Sequence, residues 1–185
     1  MSLETYARER ASFRTKVLEH KKNRTVRLGE HVSLQFEDEL TIRYQVQEML
    51  RIERIFEDEG IQGELDAYNP LIPDGGNWKA TMLIEYPDAD ERRRMLAKLK
   101  GIERRVWVQI DDCERVFAIA DEDLERETEQ KTSSVHFVRF ELTPPMVAAL
   151  KQGAALGIGV DHPEYTAHVA SLDAPIRNAL VRDLA

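Results

Sequence analysis

Residues 78–110 read WKATMLIEYPDADERRRMLAKLKGIERRVWVQI, and the reading of this stretch decides the fold. Ala80, Met82, Ile84 and Tyr86 alternate with Lys79, Thr81, Leu83 and Glu85, the period of a strand with one buried face. Asp88, with Glu91 three positions on, opens a helix in the manner of a capping box, and Gly101 stops it after Lys100. Strand character returns over 104–110. A second strand–helix–strand unit occupies 135–160. In its first strand, 135–142, the apolar residues change phase between Phe137 and Val138, which predicts a bulge or a strand buried on both faces. Thr143, Pro144 and Gly153 delimit its short helix, and 156–160 is the last strand expected. Residues 115–120 supply one more strand, reached through Asp111, Asp112, Cys113 and Glu114. Helices segregated from several closely spaced strands predict an α+β class. The expected form is a mixed, mainly antiparallel sheet with helices on one face, favoured as a ferredoxin-like split βαβ core.

Upstream, residues 3–23 read as a charged helix capped by Ser2, with Glu4 near its positive end. Val26 and Leu28, then Val32, Leu34 and Phe36, alternate around Gly29-Glu30, as in a hairpin with a type II′ turn. Asp38 caps a long helix whose Ile42, Val46, Met49, Leu50, Ile52, Ile55 and Phe56 cover more than one face. Gly60 followed by Ile61 predicts its Schellman ending. So wide an apolar band predicts packing on two sides, within the chain or at a subunit interface. Turn chemistry dominates 63–77, and a C-terminal helix carries Ile176, Leu180, Val181 and Leu184. Two segments result: 1–62, with helix, hairpin and long helix, and 63–185, the α+β core with its C-terminal helix, forming one compact unit.

The chain has 185 residues, with 26 Lys+Arg against 34 Asp+Glu, and a formal charge of −8 argues against a generally basic nucleic-acid binder. The average hides a contrast. Residues 8–27 carry eight basic side chains against Glu9 and Glu19, whereas 111–129 carry nine acids against Arg115 and Arg126. The basic segment reads either as a phosphate or nucleic-acid site or as a solvated helix face, free or docked on another subunit's acidic loop. No apolar run approaches a membrane span and the first residues lack a signal-peptide core, so a soluble, cytoplasmic protein is expected. The single Cys113 excludes an intrachain disulfide, and its carboxylate neighbours disfavour the thiolate a nucleophile needs.

No complete catalytic motif is present. The glycines frame neither GxGxxG nor a P-loop, and Ser133-Ser134 lie in no nucleophile elbow. Asp161, His162, Glu164 and His168 form the densest group of metal donors, but their spacing matches neither HExxH nor a Glu-x-x-His pair. His136 shares strand phase with Val138, Phe140 and Leu142, which predicts a hydrogen-bonded core histidine. On the long helix, Glu48 lies among apolar residues with Arg51 three positions on. It reads either as a carboxylate with raised pKa or as half of a Glu–Arg pair.

Four phrases, HKKNRTVRLGEH (20–31), QEMLRIERI (47–55), YNPLIPDG (68–75) and DHPEY (161–165), together resemble a bacterial domain-of-unknown-function family of similar length. The resemblance covers nearly the whole chain. It implies genes near rubrerythrin-like proteins and iron–sulfur oxidoreductases, hence an accessory role in redox or peroxide metabolism, and it carries over no catalytic residues. It directs attention to His20, His31, Glu48, Arg51, Asp161, His162 and Tyr165. The leading expectation is a cytoplasmic accessory protein, homo-oligomeric, acting with a redox partner. The alternative is a metal-dependent enzyme or iron-binding protein, with a divalent metal or iron held among His31, Glu48, Asp161 and His162. His20, Arg51 and Tyr165 are then ligand or interface residues. A third reading is phosphate or nucleic-acid binding through the basic helix.

Overall fold

A computed structural model describes all 185 residues. In chain order it contains α1 (Leu3–Lys22), β1 (Thr25–Leu28), β2 (Val32–Phe36), α2 (Glu39–Glu53), α3 (Asp58–Tyr68), β3 (Asn77–Ile84), α4 (Ala89–Lys98), β4 (Val106–Ile110), β5 (Val116–Phe117), β6 (Ile119–Ala120), β7 (Val135–Glu141), α5 (Pro144–Lys151), β8 (Leu156–His162), β9 (Tyr165–Val169) and α6 (Ala174–Val181). One sheet runs β1-β2-β3-β7-β6 and the other β5-β4-β8-β9. Period-two alternation places Val26, Leu34, Met82 and His136 in successive register on the inner face of the first sheet. Val108, Ile158 and Val169 do the same in the second. Both inner faces contribute to a single core of 28 buried residues, which α4, α5 and α6 extend with Leu96, Val147, Leu150 and Leu180.

The two sheets meet along both edges. On one side β5 and β6 flank Ala118, whose N–H donates to the Val106 carbonyl, so the chain steps there from the second sheet to the first. On the other, Tyr165 of β9 donates through Oη to the Leu28 carbonyl of β1 at 2.5 Å and accepts the His31 N–H at 3.1 Å.

The class is α+β with antiparallel sheets, but the split βαβ core does not form. Helix α4 carries the chain from β3 in the first sheet to β4 in the second, and α5 does likewise from β7 to β8. Neither unit returns to its own sheet, and every ladder is antiparallel. A parallel pair would require that return.

Several local expectations also change. Leu28 pairs with Val32, so the first hairpin has a three-residue loop rather than a two-residue one. The extra residue, His31, spends its N–H on Tyr165. Gly29 sits at φ +71°, and a Cβ there would lie 2.5 Å from the Tyr165 oxygen, so glycine is required twice over. The long helix ends early: Arg54 adopts the left-handed conformation at φ 56°, and the Ile55 N–H closes back on the Leu50 carbonyl at 2.9 Å. Gly60 instead lies inside α3, where a Cβ would meet Ile55 at 2.6 Å, and α3 extends through Gly63 to Tyr68. β7 runs in continuous register with β3 and has no bulge. Its phase change records a strand covered on both sides, with the Arg126 guanidinium 4.5 Å above the outward Phe137 ring. Residues 161–165 are a tight hairpin, with His162 paired to Tyr165 across Pro163-Glu164 and β9 beyond.

Because the Tyr165 hydroxyl closes the second edge, Tyr165→Phe strands one buried carbonyl and one N–H. It is expected to lower unfolding free energy by about 1–3 kcal/mol, read from urea denaturation. A change within error shows that the edge closes without this hydroxyl.

Candidate functional site

Two polar clusters are built on α1, α2 and the residues that flank them. In the first, Tyr6 and Arg10 lie four residues apart on one face of α1 and converge on Glu48 of α2. The Tyr6 hydroxyl donates to Glu48 Oε1 at 2.5 Å, and Arg10 grips both oxygens at 2.7 and 2.8 Å. Arg51 adds a fourth donor at 3.3 Å. Arg10, with help from Tyr6 and Arg51, outweighs burial and lowers the Glu48 pKa to about 2. Burial and Glu48 together push Tyr6 above its usual value. Glu48 is therefore a locked anion rather than a carboxylate poised for proton transfer, and the Glu–Arg pairing is what the structure contains.

The second cluster surrounds Arg24, which is 1% exposed. Its guanidinium donates to the Phe36 and Glu37 carbonyls, each at 3.1 Å, and pairs with Asp183 and with Asp38. His20 Nε2 lies 2.5 Å from Asp38 Oδ2, while Oδ1 of the same carboxylate caps α2 through the Thr41 N–H at 2.9 Å. Burial favours the neutral form of Asp38, but the Thr41 N–H, Arg24 and His20 bring its pKa below the usual carboxylate range. For Asp183 burial prevails over Arg24 and the pKa rises. A cleft of about 430 Å³ opens beside Asp38 and Asp183, with Lys16 and Arg43 also on its wall. This arrangement holds an oriented imidazole, a fixed anion and a carboxyl that binds a proton more readily than usual.

The other candidate residues lie elsewhere. His31 stacks on Tyr86 with ring centroids 3.9 Å apart and directs Nδ1 to the Glu85 carbonyl at 2.9 Å. The His31 and Tyr165 rings come within 6.5 Å. His162 faces the core end, with Nε2 on the Lys100 carbonyl at 3.0 Å and Nδ1 accepting the Glu164 N–H at 3.2 Å. Asp161, on the opposite face of β8, pairs with Arg115. His31, Glu48, Asp161 and His162 thus do not converge, and nowhere in the chain are three or more His, Cys, Asp or Glu side chains placed to hold a metal ion. His136 is a fully buried, hydrogen-bonded histidine, 2.6 Å from Asp121 and 3.0 Å from Thr132. Cys113 is exposed.

The opposed charge segments are consumed in part within the chain. Arg10 and Arg24 are drawn into the clusters above, and Lys22 pairs with Glu19. In the acidic loop Asp121 and Asp123 hold Arg126, and Glu122 holds Arg139. No helix is long and apolar enough to cross a membrane.

Of the second cluster, sequence reasoning singled out only His20. Asp38 was visible as a cap, Arg24 was counted with the solvated face, and Asp183 carried no local signal at all.

Glu48 supports a pH prediction. Its ordinary pKa of 4.5 is lowered to about 2 in the fold, so its contribution is complete above pH 4.5 and is lost as pH falls towards 2. Glu48→Gln is expected to cost about 2 kcal/mol at neutral pH and to flatten the acid side of the stability–pH curve. Equal acid slopes for the two proteins in urea titrations would show that Glu48 is not held as an anion.

A crystal structure described as a novel protein of unknown function from Burkholderia pseudomallei K96243 is 55% identical to this chain. It superposes with a TM-score of 0.95, over 100% of this chain and 96% of that one. No curated protein matches. The profile of the family described as protein of unknown function (DUF3501) matches residues 1–184, and the chain belongs to that family.

Proposed function

We propose that the protein is an accessory protein without a catalytic centre of its own, acting beside a redox protein partner as a homo-oligomer. One observation carries the accessory reading: Glu48, His162 and Tyr165, polar members of the four phrases, are tied into intramolecular bonds at separate places. Glu48 accepts four donors, His162 is bonded at both ring nitrogens, and Tyr165 joins two sheet edges. A catalytic or metal centre needs such groups to converge with free valence. The redox partner is supported by the resemblance to a family encoded near rubrerythrin-like proteins.

Self-association draws on a different feature. The two apolar sides of α2 are met inside the chain by α1 and α3, so that band does not require a second subunit. Ile52 and Phe56, however, stand 58% and 67% exposed at the corner between α2 and α3, and large neighbouring apolar side chains in water favour burial against another surface.

Protein purified without a histidine tag, alone and mixed with a rubrerythrin-like protein of the same organism, tests this by light-scattering size exclusion and elemental analysis. The expected results are an oligomer that Ile52→Ser plus Phe56→Ser dissociates, a complex with the partner, and far less than one metal per chain. Stoichiometric metal that His162→Ala or Glu48→Gln removes overturns the accessory reading. Failure to associate with the partner overturns its redox assignment.

A further inference from the structure

Past the end of α4, at Gly101, the chain makes a single turn, Ile102–Arg105, that leads into β4. Ile102 and Glu103 of this turn are buried, and Arg104 and Arg105 stand in solvent. The backbone before it is pinned from two sides. His162 Nε2 donates to the Lys100 carbonyl at 3.0 Å, and the Gly101 N–H donates to Glu127 at 2.8 Å. Between the turn, the hairpin at 161–165 and the edge strand β5 lies a cleft of about 590 Å³, within the roughly 300–1,000 Å³ of small-molecule sites.

Its lining divides by chemistry. Lys100, Arg104 and Arg105 bring three positive charges, and no carboxylate lines the cleft. In a chain of net charge −8 that sets it apart: the clefts beside α3, β7, Asp38 and Trp107 each carry at least one Asp or Glu. Arg105 has no carboxylate oxygen within 4.0 Å. Glu127 stays 3.8 Å from the Lys100 ammonium, and the buried Glu103 stays 3.7 Å from Arg104 Nε, so neither is hydrogen-bonded to its cation. Asp161 is taken by Arg115. Lys100 spends one N–H on the Glu129 carbonyl at 3.2 Å. Apart from Gly101, the rest of the lining is three rings: Phe117, which is 45% exposed, His162 and Pro163. Both nitrogens of His162 are engaged within the chain, so it adds no free donor. Like charges held together on an anchored turn repel one another, and a bound anion removes that repulsion.

We infer that this cleft binds a phosphate ester carrying a planar ring, the chemistry of a nucleoside phosphate. Its phosphates pair with Lys100, Arg104 and Arg105, and its ring packs on Phe117. Two guanidiniums and an ammonium match a multiply charged phosphate better than a single carboxylate. An exposed aromatic side chain beside a basic groove holds a base by stacking, without reading its edges. The site shares no residue with the basic segment of α1. It goes beyond the accessory role and does not rest on it.

Calorimetric titration of the full chain at low salt, without divalent cations, tests the inference with ADP, pyrophosphate, adenosine and an oligoadenylate. ADP is expected to bind at one site per chain, with pyrophosphate about tenfold weaker because it lacks the ring, and adenosine weaker than ADP. Arg105→Gln should weaken ADP and pyrophosphate alike, about tenfold, and flatten the loss of affinity with added NaCl. Phe117→Ser should bring ADP down to the affinity of pyrophosphate and leave pyrophosphate unchanged. Absence of saturable ADP binding overturns the site, and so does binding that Lys21→Ala plus Lys22→Ala abolishes while Arg105→Gln leaves it intact. Adenosine binding as tightly as ADP overturns the phosphate pairing. Equal affinities for ADP and pyrophosphate in the unaltered protein overturn the role of Phe117, even if Phe117→Ser does not fold. Oligoadenylate binding far tighter than ADP overturns the mononucleotide class in favour of a nucleic-acid strand.

Discussion

The burial of the Arg24 guanidinium is the constraint on which the rest of the structure depends. A charge removed from water is tolerated only when its donors are met by anions and carbonyls of good geometry. Here they come from four parts of the chain: the Phe36 and Glu37 carbonyls at the end of β2, Asp38 at the cap of α2, the Ala179 carbonyl of α6 and Asp183 just beyond it. Arg24 itself follows α1 directly. The same cation therefore sets where α1 ends, how β2 leads into α2, and where the C-terminal helix docks. The Trp78 indole reinforces that docking by donating to the Leu180 carbonyl at 2.9 Å. Removing either carboxylate would leave a buried charge short of partners, which is why Asp183 stays near Arg24 although its own burial favours protonation.

The phrases that carry the family resemblance make physical sense as fasteners. HKKNRTVRLGEH contributes His20 and Arg24 to the buried cluster, and its Gly29 and His31 meet the Tyr165 hydroxyl. QEMLRIERI contributes Gln47 and Glu48, which hold the start of α1. In YNPLIPDG the Ile72 carbonyl takes the Lys79 ammonium at 2.8 Å, and the Gly75 carbonyl accepts the Ala185 N–H at 2.9 Å. DHPEY supplies the hairpin that meets both the Lys100 carbonyl and β1. Each phrase joins elements distant in the chain, so the polar residues within it have contact partners that no local pattern displays.

That distance explains what could be read in advance. Strands with one buried face impose a period of two, and the alternation from Ala80 to Tyr86 and from Val26 to Phe36 exposed both the elements and their inward sides. Caps act over three or four residues, so Ser2, Asp38, Asp88 and Thr143 were visible as helix starts. The choice of sheet was not legible, because whether α4 returns to the sheet of β3 or crosses to the other depends on a core assembled from the whole chain. The break after α2 was hidden because Arg54, a non-glycine residue, takes the left-handed position. The expected metal donors failed to converge for a geometric reason: Asp161 and His162 are adjacent on β8 and so point to opposite faces. Glu48 was recognisable as half of an ion pair, yet Tyr6 and Arg10 lie far upstream of it, and with them its role as a locked anion.

The helical layer divides its labour along α2. One face carries Glu48, fixed by four charged or phenolic donors, so α1 is bound to α2 by interactions strict in geometry. The opposite face carries Ile42, Val46 and Leu50, whose contact with α3 is apolar and tolerant of displacement. Helix α3 lacks any buried residue and contains Gly63, where a Cβ would meet nothing within 4 Å and where glycine weakens an exposed helix by about 1 kcal/mol relative to alanine. Local opening has its lowest cost where buried contacts are fewest. Conformational freedom is thereby concentrated in α3 while α2 is held by the Glu48 anchor. An anchored α2 facing a compliant α3 lets the second helix shift without disturbing the sheets or the Arg24 cluster.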